Sequence, residues 1–141
     1  MSLNPYVFFN GQCEEAFAFY AKAFGGKVLS TFKYEGSPMG GDVPAEWGSK
    51  VMHSSLDLGN GMILMGADAL PGRYETPTGF SVSVGVKEVA ESERIFAELA
   101  QGGTVELSIQ QTFWSVRFGM LVDRFGIPWM VNCDQAAAHT A

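Results

Sequence analysis

The sequence repeats one order of structural elements, and this repeat constrains the fold more than any single residue does. The first copy, residues 4–68, contains a short apolar strand, a helix that ends at Gly25-Gly26, and three more strand-like runs. The second copy, residues 79–134, has the same order, and Gly102-Gly103 follows its helix. Two βαβββ repeats predict an α+β fold in which two curved mixed sheets surround a central cup.

The length and the repeat together predict one domain over residues 1–134, which is large enough for a substantial core. Residues 135–141 are small and polar, and we expect a frayed tail there. Helices are predicted over residues 12–24 and 90–101, because apolar side chains recur there at every third or fourth position. Alternation and turn residues predict strands over residues 4–9, 27–34, 51–58, 62–68, 79–86, 104–111, 116–122 and 127–133.

The charge and the cysteines narrow the classes of partner. The net charge is −6, and the 9 basic residues do not cluster as a nucleic-acid binder requires. No apolar run is as long as a membrane span, and the first residues do not resemble a secretion signal. Cys13 and Cys133 form no metal-binding or redox spacing. We therefore expect a cytoplasmic protein with no nucleic-acid or membrane partner.

Residues 35–49 are rich in glycine and proline and predict a long loop. Loops of this length in a compact domain are often lids or binding segments. Trp47, near the end of the loop, either covers a pocket or holds the loop to the protein surface, and the sequence favours neither role.

Three segments carry a resemblance to a known superfamily. They are Asn4-Pro-Tyr-Val-Phe-Phe-Asn-Gly with Glu14-Glu15-Ala16, Gln111-Thr-Phe-Trp114, and Asp123-Arg-Phe-Gly-Ile-Pro-Trp-Met-Val-Asn132. With the repeated element order, they resemble the vicinal oxygen chelate superfamily, which includes glyoxalase I, extradiol dioxygenases and bleomycin- and fosfomycin-resistance proteins. Within that superfamily they look like the PhnB-like branch. The resemblance spans residues 3–134 and implies a glyoxalase-like fold.

The resemblance also implies where a divalent metal would bind, because superfamily enzymes hold it with His, Gln or Glu from the first and last strands of each repeat. These positions fall on Pro5, on Leu64 or Met65, on Phe80 and on Met130. Proline and phenylalanine offer no suitable donor, and a thioether suits soft copper better than harder ions. We therefore expect no bound metal and no other cofactor.

The side chains at these positions favour an apolar ligand instead. We expect Leu64, Met65, Phe80 and Met130 to contact a small organic molecule, together with Trp114. The alternative is that these side chains fill the cup and leave no cavity.

His53 is the candidate catalytic residue, because it is the only histidine within the two repeats. Alternation places Ser55 and Asp57 on its side of the strand, opposite Met52 and Leu56. A general base or an orienting hydrogen-bond donor is one role for His53. The alternative is a histidine on the strand surface, or one in the core whose hydrogen bonds are satisfied.

Polar residues and one aromatic pair near strand ends allow further predictions. Asp123 is expected to bond its own hairpin backbone, whereas Asp68 and Asn132 serve either the rim of the cup or only the turns. Adjacent residues on a strand point to opposite sides. One ring of the Phe113-Trp114 pair is therefore predicted in the core, and the other faces the cavity or a partner.

The sequence thus predicts a metal-free protein that binds a small, largely apolar molecule, as some resistance proteins do. The alternative is an enzyme of lyase, dioxygenase or transferase type that uses His53 and polar groups of the cup on an unknown small substrate. A third possibility is a family member whose role is dimerisation or regulation. The sequence contains no glycine-rich βαβ unit for a nucleotide-type cofactor, which argues against a methyltransferase. We expect a homodimer, because the strands at the ends of each repeat leave unpaired edges.

Overall fold

The computed structural model describes residues 1–134, and the predicted tail, residues 135–141, lies outside them. The chain forms two compact units, Met1–Glu75 and a second one that begins at Thr76. These units coincide with the two sequence repeats. Neither helix in residues 1–134 is long and apolar enough to cross a membrane.

The first unit contains one helix and one four-stranded sheet. Its elements are β1 (Tyr6–Phe9), α1 (Cys13–Phe24), β2 (Lys27–Lys33), β3 (Val51–Asp57) and β4 (Ile63–Asp68). The strand order is β1-β4-β3-β2, in which β1 and β4 are parallel and the other neighbours are antiparallel. Two short 3₁₀ turns interrupt the long loop before β3, and they span Gly40–Asp42 and Ala45–Trp47.

The second unit repeats this topology. Its elements are β5 (Val82–Val86), α2 (Val89–Ala100), β6 (Thr104–Gln110), β7 (Ser115–Val122) and β8 (Pro128–Asp134). The strand order is β5-β8-β7-β6, again with one parallel pair, β5 with β8. Two mixed four-stranded sheets, each with one helix, confirm the predicted α+β fold.

The element boundaries agree with the prediction to within two residues at most ends, and β5 is the exception. The sequence predicts this strand from residue 79, but it begins at Val82. Gly79 has a φ of +81°, a left-handed conformation that does not occur in an extended strand. Phe80 therefore belongs to the connection that precedes β5.

Each helix packs on one face of its own sheet. The buried side of α1 presents Phe17, and a Cβ added to Gly66 of β4 would lie 2.8 Å from its ring. In the second unit, a Cβ added to Gly119 of β7 would lie 2.6 Å from the ring of Phe96 of α2. Because these two positions are glycine, each helix can lie close to its own sheet. The helix covers one face of each sheet, and the opposite face carries no helix of its own unit.

Candidate functional site

The face of the first sheet that α1 leaves uncovered carries a group of aromatic side chains. Alternation along the strands sends Val7, Phe9, Leu56 and Leu64 into the core, where all four are buried. The side chains between them point the other way, and Phe8 and Phe32 are 52% and 55% exposed. We call this surface the aromatic face and define it by Tyr6, Phe8, Phe32, His53, Ser55 and Met65.

All four strands contribute to the aromatic face. Tyr6 of β1 is in register with Met65 of β4, and Met65 is in register with Ser55 of β3. Phe32 of the edge strand β2 is in register with His53 of β3. The pairings place these side chains side by side across the sheet.

His53 lies within this group and has two hydrogen-bond contacts. Its Nδ1 lies 2.9 Å from the hydroxyl of Tyr6, and its Nε2 lies 3.3 Å from the hydroxyl of Ser55. The imidazole stacks on the ring of Phe32 at 29° and 6.5 Å between centroids, and the ring of Tyr6 lies at 5.6 Å. A hydroxyl both donates and accepts, so both ring nitrogens are satisfied in either neutral tautomer.

Burial raises the pKa of the Tyr6 hydroxyl, and Cys13 and Tyr34 raise it further. Tyr6 therefore stays protonated at neutral pH. Its ring also contacts Phe8 at 5.1 Å, so it joins the polar centre of the aromatic face to its apolar rim.

The second sheet has an equivalent open face with different chemistry. The hairpin bond from Leu58 to Met62 corresponds to the bond from Asp123 to Ile127, which aligns the repeats at an offset of 65 residues. This offset makes Met65 equivalent to Met130. Strand pairing then matches Tyr6 with Ser83, Phe8 with Gly85, His53 with Phe118 and Phe32 with Gln110. The histidine and most of the aromatic rings therefore belong to the first sheet alone.

The structure separates the residues that the sequence predicts as ligand contacts. Met65 lies on the aromatic face, whereas Leu64 is 1% exposed and lies in the core beneath the same sheet. Met130 is half-buried on the open face of the second sheet. Phe80 is 49% exposed in the connection before β5. Trp114 follows β6, at its hairpin with β7.

The prediction that one ring of the Phe113-Trp114 pair lies in the core is wrong. Both residues occupy the turn between β6 and β7, and they are 93% and 45% exposed. Thr112 and Ser115 close this turn, with a bond from Thr112 N to Ser115 O of 3.0 Å. Strand alternation does not apply in a turn, so neither ring is directed inward. Trp114 instead contacts Phe118 edge-on at 5.4 Å.

The strand-end carboxylates hold the fold together. The Asp68 carboxylate accepts hydrogen bonds from Cys13 N at 2.9 Å and from Val51 N at 2.8 Å. Asp123 bonds its own hairpin, as predicted, through Phe125 N at 2.8 Å and Ile127 N at 3.0 Å. Both aspartates are buried, so neither lies on an open face.

The long loop is attached to its own unit through Trp47. The indole Nε1 donates to Ala69 O at 3.2 Å, and the Lys50 ammonium lies 5.9 Å from the ring centroid. Lys50 also donates to Gly11 O at 3.1 Å. These contacts match the predicted role in which Trp47 holds the loop to the protein surface.

The residues present do not fit the divalent metal that the superfamily resemblance implies. On the open faces, the cross-strand neighbours of Met65 are Tyr6 and Ser55, and those of Met130 are Ser83 and Met120. None of these residues is a customary ligand for such ions. Pro5 and Phe80 lie just outside their strands. Residues 1–134 contain no group of three His, Cys, Asp or Glu side chains that could hold a metal ion.

Sequence reasoning missed Tyr6, Phe8 and Phe32. The sequence does indicate Tyr6 and Phe8. Residues 6–9 are four apolar residues in a row, so both faces of this strand are apolar, and the face that does not enter the core is a candidate contact surface. No local sequence pattern predicts the contact of His53 with Tyr6, because 47 positions separate the two residues.

Comparison with known proteins agrees with this architecture. A family model described as 3-demethylubiquinone-9 3-methyltransferase matches residues 1–132. Protein YjdN of Escherichia coli is 32% identical over 143 residues, which cover 94% of this chain and 95% of that protein. The crystal structure of protein PA1353 from Pseudomonas aeruginosa is 41% identical, with a TM-score of 0.86 over 95% of this chain and 98% of that one.

Two more distant structures are similar in fold. A PhnB protein from Bacillus cereus has a TM-score of 0.79 at 24% identity and covers 94% of this chain and 99% of its own. A glyoxylase/bleomycin resistance protein/dioxygenase domain from Frankia sp. has a TM-score of 0.65 at 12% identity, over 96% of this chain and 98% of its own. The predicted glyoxalase-like fold is therefore confirmed.

Proposed function

Because this chain belongs to the PhnB-like family, whose model is described as 3-demethylubiquinone-9 3-methyltransferase, and has the glyoxalase-like fold, we propose that it is a small-molecule binding protein. Its ligand is a flat, largely apolar organic molecule that binds to the aromatic face without a metal. The observation that carries this proposal is the exposed group of Tyr6, Phe8 and Phe32 around His53 on the open face of the first sheet.

The composition of the aromatic face indicates the shape of the ligand. Aromatic rings prefer to stack on other rings, at offset or edge-on geometries that each contribute about 0.5–1.5 kcal/mol beyond the burial of area. Met65 adds a flexible apolar side chain that adapts to different outlines. One polar group of the ligand can reach His53 or Ser55. Leu64 is not included in this site, because its side chain is buried under the sheet.

The activity in the family description is not proposed for this chain. Each sheet in residues 1–134 contains one parallel pair of strands in an otherwise antiparallel arrangement. Nucleotide-type cofactors usually bind at the carboxyl end of an open parallel sheet, beside a glycine-rich turn. Neither sheet offers that setting, which supports a binding role over methyl transfer.

Catalysis is a second candidate function, and the contacts of His53 favour it. A histidine held between two hydroxyls can act as a general acid or base on a bound substrate. Separately from His53, we propose that Phe80, Trp114 and Met130 of the second unit contact an apolar group of a ligand bound to that unit. The two functions differ in one measurable respect, since an enzyme converts its ligand and a binding protein returns it unchanged.

Calorimetry with 4-nitroanisole, a flat neutral aromatic compound, tests the proposal. We expect a dissociation constant on the order of 0.1–1 mM, which is ordinary for a ligand of this size. Phe32→Ala should weaken binding at least about fivefold, because it removes a stacking partner. Met62→Ala is the matched control, since Met62 is 53% exposed but lies in the hairpin turn before β4, outside the aromatic face. Equal effects of the two changes, or no binding at all, would refute the proposal.

A further inference from the structure

We infer that the ligand of the aromatic face is an aromatic weak acid, a phenol or enol, whose hydroxyl proton passes to His53. This inference rests on the proposed function and adds the chemical class of the ligand. It comes from two features of His53: the hydrogen bonds available to both of its charge states, and the absence of a carboxylate partner.

The surroundings of His53 offer hydrogen-bond acceptors to its protonated form. An imidazolium donates through both nitrogens, and the oxygens of Tyr6 and Ser55 lie at 2.9 and 3.3 Å to accept. Phe32 stacks on the ring, and the face of an aromatic ring attracts a cation. The same contacts serve the neutral form, so both charge states of His53 have hydrogen-bond partners on the aromatic face.

The positive charge that would result has no negative partner in residues 1–134. The groups in contact with His53 are Tyr6 from β1, Phe32 from β2 and Ser55 from β3, and the nearest open-face residues of β4, Met65 and Ala67, are apolar. No ion pair in the described part of the chain includes His53. Asp57, on the same side of β3, accepts a hydrogen bond from Gly59 N instead. A ligand anion would supply the missing negative charge.

The proton transfer involves no oxidation or reduction. The O–H bond of the ligand breaks, its electron pair stays on the ligand oxygen, and a new N–H bond forms at Nε2. The Nδ1–H then donates to Tyr6, at the shorter of the two contacts. The Ser55 hydroxyl, released from Nε2, turns to donate to the ligand oxygen. Phe118 occupies the equivalent position of the second sheet, which therefore lacks this chemistry.

Two probes separate this inference from the proposed function. They are 4-nitrophenol, which is acidic and coloured when ionised, and 4-nitroanisole, its methyl ether, which has no proton to give. At a pH below the pKa of free 4-nitrophenol, we expect binding to increase the visible phenolate band. His53→Gln should abolish that increase and weaken 4-nitrophenol binding at least about tenfold, the loss of one charge-assisted hydrogen bond. The same variant should weaken 4-nitroanisole binding by a smaller factor, because the ether has no proton to transfer to residue 53.

Tyr6→Phe provides a second variant in case His53→Gln does not fold, as judged by thermal unfolding. It should reduce the phenolate band, because the protonated Nδ1 loses its acceptor. Binding of both probes with equal affinity and no phenolate band would overturn the inference and leave the proposed function standing. Failure of both probes to bind would overturn both.

Discussion

Replacing Asp68 by Asn tests whether this carboxylate holds the first unit together. Asp68 is 1% exposed, and its two oxygens accept bonds from Cys13 N, at the start of α1, and from Val51 N, at the start of β3. Asparagine has one acceptor oxygen and one NH₂ group. One of the two backbone N–H groups would therefore face a donor in place of an acceptor.

The expected loss follows from these contacts. A hydrogen bond to a charged group contributes about 1.5–3 kcal/mol, and a buried unpaired N–H costs about 1–3 kcal/mol more. Removing a buried charge recovers part of this, because a charge is costly to desolvate. We therefore expect Asp68→Asn to lower the free energy of unfolding by about 2–4 kcal/mol. A change of this size lowers the melting temperature by roughly 6–15 °C in a chain of this length.

Urea unfolding followed by tryptophan fluorescence measures this change as a lower midpoint at an unchanged slope. Asp57→Asn is the matched control, since Asp57 accepts from Gly59 N at 2.8 Å in an exposed turn. That control should change stability by less than about 0.5 kcal/mol. If Asp68→Asn were as mild as Asp57→Asn, the structural role assigned to Asp68 would be incorrect.

Three further predictions concern metal, assembly and the surface. Elemental analysis of purified protein should find far less than one divalent metal ion per chain, and a stoichiometric ion lost on mutating one residue would contradict this. Light scattering should give the mass of a homodimer, since β1, β2, β5 and β6 are the edge strands of the two sheets in residues 1–134 and edge strands favour pairing with a second copy; a concentration-independent mass near 15.2 kDa would contradict it. Phe80→Asp should change the free energy of unfolding by less than about 0.5 kcal/mol because Phe80 is exposed, and loss of cooperative unfolding would place the ring in a core.

The parts of the fold that could be predicted depend on local patterns. Helix α1 follows from the spacing of Cys13, Phe17 and Tyr20, and Gly25 ends it with a φ of +70°. The tight turns between antiparallel strands follow from glycine, as at Gly59-Asn60-Gly61, where all three residues have positive φ. Residues within a few positions determine each of these features, and the second repeat contains the same order of patterns.

The candidate site was less predictable because distant residues form it. Tyr6 reaches His53 across β4, which lies between their strands, and no local pattern encodes that contact. The choice between Leu64 and Met65 depended on strand register, which the hairpin at Gly59–Gly61 settles. For Phe113 and Trp114, the short turn between β6 and β7 overrides the alternation that a strand would impose.

Methyl NMR tests the central claim, that the aromatic face of the first sheet is the binding surface, most directly. The chain has 7 methionines, and Met65→Leu and Met130→Leu identify the two signals that distinguish the sheets. Protein labelled at its methionine methyl groups, with metal removed by a chelator, is titrated with 4-nitroanisole. We predict a saturable shift of the Met65 signal, because ring currents act on methyl groups beside a bound aromatic molecule. A Met65 signal that stays in place while calorimetry shows the protein saturated would contradict the account.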